Sequence, residues 1–101
     1  MNNRLEIAKN FAKAINNNYI KKIILFGSVA RGEDNKDSDI NILIISNHED
    51  KIDELVCDEA FKIVLTKQEF ISPHIMSEKK IQEIHNFSLM QDIMREGIVL
   101  K

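Results

Sequence analysis

An α/β (α+β) layer fold, with helices flanking a small mixed β-sheet, is what the 101 residues predict. Three observations carry that expectation. Two short isoleucine-rich runs read as strands, apolar stripes at helical spacing stand before and after them, and a polar segment bounded by glycines joins the two runs. In chain order, Leu5, Ala8, Phe11, Ala12 and Ile15 form one helical stripe, ended by Asn16, Asn17 and Asn18. Residues 19–26, YIKKIILF, are rich in β-branched side chains and are closed by Gly27, so they predict a strand. SVARG then forms one short turn of helix, marked at its start by Ser28 and at its end by Gly32.

Beyond the loop EDNKDS, residues 39–45, DINILII, predict a second strand whose almost unbroken apolar run suits burial on both faces. From Asp50, the stripe Ile52, Leu55, Val56, Ala60, Ile63 and Val64 describes a long amphipathic helix to about Gln68. Residues 70–76 read as extended, and Pro73 among them implies an edge or an interrupted strand. Ser77 caps a short helix to about His85. A further helix runs from Ser88 to Glu96 and stops at Gly97 as a left-handed residue past a helix end would stop it. The closing IVL is a last short strand. Residues 1–101 are read as a single domain.

Composition narrows the function classes. Hydrophobic residues at 44% and charged residues at 30% describe a globular chain able to bury a core. The absence of a long apolar run or of a leader-like start is the basis for expecting a cytoplasmic protein with no membrane association. A single cysteine, Cys57, excludes an internal disulfide framework and a multi-cysteine zinc site, and it reads as a small packed hydrophobe. Met76, Met90 and Met94 are expected in the core. A net charge of −2 argues against strong nucleic-acid binding. The charge is segregated, however, at +5 over residues 1–31, −8 over 32–60 and +1 over 61–101. Most of the central acids fit the wet face of the long helix.

The chemistry concentrates in GSVARGEDNKDSDIN. Gly27 allows a sharp turn off a buried strand and exposes the amides of Ser28 and Val29 at a helix start, where phosphate is favoured. The Ser28 hydroxyl adds a directional donor. Arg31, one turn on, suits a phosphate or an acid of the loop. Asp39 enters the neighbouring strand and Asn41 follows at i+2, so both side chains point to one face, where two oxygen ligands can share a metal ion.

These residues resemble the motif of the minimal nucleotidyltransferases, related to DNA polymerase β and its palm-like fold: Gly-Ser, ten residues, then Asp-x-Asp. Here Gly27 and Ser28 precede ten residues and then Asp39, Ile40 and Asn41. The resemblance implies that Gly27 and Ser28, with Arg31, bind the nucleotide, ATP. It implies too that Asp39 and Asn41 are the catalytic and metal positions for Mg2+ or Mn2+. Asn41 departs from the second aspartate, offering a neutral oxygen instead of a charge. A third carboxylate is expected from a later strand, yet residues 70–76 contain no Asp or Glu and offer only Ser72 or His74 in that direction. The implied activity is transfer of AMP from the metal-bound triphosphate to a hydroxyl of a protein or small molecule. The implied partner is a separate helical HEPN-type toxin, with this chain as antitoxin, or else a second copy of the chain. The rival reading is a catalytically degenerate antitoxin module that neutralises a partner by contact.

Overall fold

The computed structural model describes residues 2–101. Helix α1 spans Arg4–Ile15 and is capped by Asn3, whose side chain accepts from the Glu6 amide. It buries Ile7, Ala8, Phe11, Ala12 and Ile15, while Leu5 is exposed; the true stripe runs one position round from the predicted one and includes Arg4. Strand β1 is Lys22–Phe26, shorter than predicted, because residues 17–20 close a turn in which the Ile20 amide donates to the Asn17 carbonyl. Tyr19 consequently points to solvent. Helix α2, Ser28–Arg31, follows at once, and strand β2 is Ile40–Ile45.

The long helix α3, Glu49–Lys67, ends with Gln68 in the left-handed region. Its Cys57 is exposed and is not the packed hydrophobe the sequence suggests. Strand β3 is Ile71–Met76, an unbroken edge strand that tolerates Pro73 because only one side is paired. Helix α4, Glu78–Ile84, is capped by Ser77, whose hydroxyl accepts from the Lys80 amide. Helix α5, Ser88–Glu96, leads into strand β4, Ile98–Val99. Gly97 is not left-handed. It sits at φ −68°, and glycine is required there by contact, since a Cβ would lie 2.5 Å from Ile24 Cγ2 and from the Ile93 carbonyl oxygen.

The sheet order is β3-β2-β1-β4, with β2–β3 parallel and the other two pairs antiparallel, so the predicted mixed sheet is what forms. Alternation along β2 then sorts the core. Ile40, Ile42 and Ile44 pack with α1 and α3 residues such as Phe11, Ile52 and Val56, whereas Leu43 and Ile45 meet Met90 and Ile93 of α5 on the other face. Met90 is buried as expected, but Met94, one turn on, is exposed at the mouth of a depression shared with Ile45 and Ile81. Among the described residues, no helix is long and apolar enough to cross a membrane.

Candidate functional site

Antiparallel pairing of β1 with β2 decides where the motif meets itself. Phe26, the last residue of β1, is opposite Asn41, so the turn that begins at Gly27 lies beside the start of β2. Gly27 adopts φ 82° and ψ −159°, a conformation open in practice only to glycine. A Cβ at that position would sit 2.9 Å from the Asn41 amide nitrogen, so the glycine is required twice, by torsion and by proximity. The start of α2 has no side-chain cap, and its turn closes through the Arg31 amide to the Gly27 carbonyl at 3.2 Å and the Glu33 amide to the Ser28 carbonyl at 2.9 Å. Gly32 then leaves in the left-handed region at φ 71°.

Asp39 stands one residue before β2 and is exposed, and Asn41 is half-buried within the strand. Among the described residues Asp39 enters no ion pair. Ser72 of β3 is in register with Asn41, and His74 is in register with Leu43. The Ser72 hydroxyl and His74 Nε2 are 3.5 Å apart, and the His74 ring lies against Phe26 with centroids 5.5 Å apart. Among the described residues, no group of three His, Cys, Asp or Glu side chains could hold a metal ion. Arg31 instead faces acids, 3.2 Å from Glu33 and 3.9 Å from Glu96, at an exposed position where such pairs contribute little.

Next to Asn41 opens a cavity of about 240 Å³, lined mainly by apolar side chains including Phe26, Met90 and Ile93, with the His74 ring also on its wall. A roomier depression of about 390 Å³ lies at the opposite end of β2, around Ser46 and Asn47, and holds none of the motif. The apolar cavity escaped sequence reading because it forms between the sheet and α4–α5, from residues far apart in the chain. An Arg4–Asp34–Glu69 ion network beside the loop was missed as well. The one local sign is the arginine itself, in helical register with Ala8, Phe11 and Ile15; its acidic partners lie 30 and 65 positions away and leave none.

The family model described as nucleotidyltransferase domain matches residues 5–100. A relative from Methanocaldococcus jannaschii, provisionally named a protein adenylyltransferase, is 37% identical over 102 residues, 97% of this chain and 98% of its own. A crystal structure of a toxin–antitoxin with AMP-PNP superposes on 100% of this chain and 73% of its own with a TM-score of 0.62 and 16% identity. A toxin–antitoxin MntA-HpeT mutant covers the same shares at a TM-score of 0.57 and 19% identity. At such low identity these two structures speak for the fold alone. The chain belongs to the nucleotidyltransferase domain family, as a minimal nucleotidyltransferase domain.

Proposed function

We propose that this chain binds ATP with a divalent cation, Mg2+ or Mn2+, and transfers AMP to a hydroxyl group of a protein. The observation that carries this reading is the Phe26–Asn41 register, which brings the Gly27–Ser28 turn, Asp39 and Asn41 to one end of the sheet. Support for adenylyl transfer to protein comes from the name of the M. jannaschii relative, and support for a toxin partner comes from the two structural neighbours. We propose accordingly that residues 1–101 act as one cytoplasmic domain and that the acceptor is a separate helical HEPN-type chain.

The donor set suits a hard cation. Asp39 gives one carboxylate, Asn41 one amide oxygen, and the Ser72 hydroxyl lies in register beside it, all oxygen donors of the kind magnesium takes. When bound, the ion would supply positive charge against the charge developing on pyrophosphate. Gly27 and Ser28 hold the triphosphate through main-chain amides and the hydroxyl, and Arg31 reaches it by exchanging its exposed carboxylate partners. The acceptor hydroxyl oxygen attacks the α-phosphorus and gives up its proton to water, the bond from that phosphorus to the bridging oxygen breaks, and pyrophosphate leaves with that bridging oxygen. Catalysis of this kind is mostly positioning and electrostatics.

Ser28→Ala tests the phosphate contact. By the usual net value of a hydrogen bond to a charged group, Mg-ATP binding is expected to weaken by roughly 1.5–3 kcal/mol in calorimetry. The activity itself is tested by incubating the purified protein and host lysate with α-labelled ATP and Mg2+ or Mn2+. A labelled protein band that is lost in Asp39→Ala is the expected result; a band indifferent to Asp39 would overturn the assignment.

One observation favours a second reading. The β3 positions facing the site are Ser72 and His74, so Asp39 is the sole carboxylate among the motif positions at this sheet end. A site so poor in charge fits a module that has lost transfer and neutralises its partner by contact.

A further inference from the structure

Arg4 is a charged side chain on the apolar stripe of α1, with only 5% of its surface exposed. Its guanidinium is spent entirely on two distant segments. Nε donates to Glu69 Oε2, and Nη2 donates to Glu69 Oε1 at 3.4 Å. Toward the motif loop, Nη1 donates to Asp34 Oδ2 at 2.9 Å and to the Asn35 carbonyl, and Nη2 donates to the Lys36 carbonyl at 3.1 Å. The loop is stitched further by the Asn35 amide donating to Ser38 Oγ at 3.0 Å and the Asp37 amide donating to Asn35 Oδ1 at 2.9 Å. On the other side of Asp39, the Ile40 amide donates to the Phe70 carbonyl at 2.8 Å, and Phe70 is the residue next to Glu69. Asp39 therefore hangs between two anchors, both tied to the 69–70 segment, and Arg4 makes one of them.

We propose that Arg4 is a positioning residue for the nucleotide and metal site, acting through residues 34–36 to fix the approach of Asp39; this rests on the site reading given above. The fork geometry is what the role needs, because one rigid guanidinium reaches a carboxylate on one side and two carbonyls on the other. A lysine keeps the charge but has a single nitrogen and no fork. Complete truncation is a poor probe, since it would orphan the nearly buried Glu69 carboxylate and unsettle the fold.

The test uses Arg4→Lys and Asp34→Asn beside the wild type, with amide hydrogen exchange, thermal melting and Mg-ATP calorimetry on each. In Arg4→Lys, exchange over residues 34–39 is expected to accelerate while the amides of β2 stay protected. Mg-ATP affinity should fall about tenfold, the lower end of what losing a supporting contact costs a metal site. Asp34→Asn should move both readouts the same way by less, and it decides the matter if Arg4→Lys does not fold. Unchanged exchange over 34–39, or faster exchange with unchanged affinity, would overturn the proposal, and a lowered melting temperature alone would make Arg4 merely structural. A wild type that binds no Mg-ATP would overturn the site reading and the positioning role together, a failure visible before any variant is compared.

Discussion

Asp39→Ala is expected to abolish Mg-ATP binding and to leave the fold standing. Both halves follow from where the residue sits. Asp39 lies one position outside β2, exposed and without an ion-pair partner among the described residues, so its truncation opens no cavity and strands no buried charge. Exposed positions of that kind usually change stability by no more than about 0.5 kcal/mol. Yet it is the one carboxylate that the motif places at this end of the sheet, with Asn41 and Ser72 offering neutral oxygens only. Removing it deletes the charge on which attraction for a divalent cation depends, whereas Ser28→Ala removes a single hydrogen bond. Calorimetry with Mg-ATP and a thermal melt on the same preparations check the two halves separately. Retained affinity would remove Asp39 from the site, and a collapsed melt would make it a structural residue.

The elements that sequence made legible are those where short-range pattern and burial coincide. Ile40, Ile42, Leu43, Ile44 and Ile45 are all buried, on alternate faces of β2, which is why an unbroken apolar run was the right sign of a central strand. Gly27 was legible for the same reason, since a glycine that closes a buried strand implies a sharp turn, found here at φ 82°. Contacts across the sheet were not. Gly97 reads as a helix stop in any helical pattern, but beside the local Ile93 carbonyl a Cβ there would meet Ile24, 73 positions earlier, at the same 2.5 Å, and that second contact has no local sign. Likewise the burial of Arg4 depends on Asp34 and Glu69 arriving from elsewhere, and nothing local to residues 1–15 announces them. The site was readable as a motif; its support was not, because support is tertiary.

The largest gain is expected from Asn41→Asp. The change is nearly isosteric, so the close approach to Gly27 is kept and the backbone around it has no reason to shift. What changes is charge. A second carboxylate beside Asp39 on the same face repels it when no cation is present and binds a cation more tightly when one is. Mg2+ should therefore raise the melting temperature of the variant more than that of the wild type, as binding to the folded state requires. Transfer from α-labelled ATP should rise on the order of 100-fold, the scale on which a single group stabilising transition-state charge is felt. The comparison also separates the two readings of the chain. A wild-type band that intensifies in the variant means an enzyme weakened at one ligand, and a band in the variant alone means a transferase whose wild-type site has lost turnover. Silence from both, with the partner still bound, places the function in contact and leaves the motif as the scaffold that shapes it.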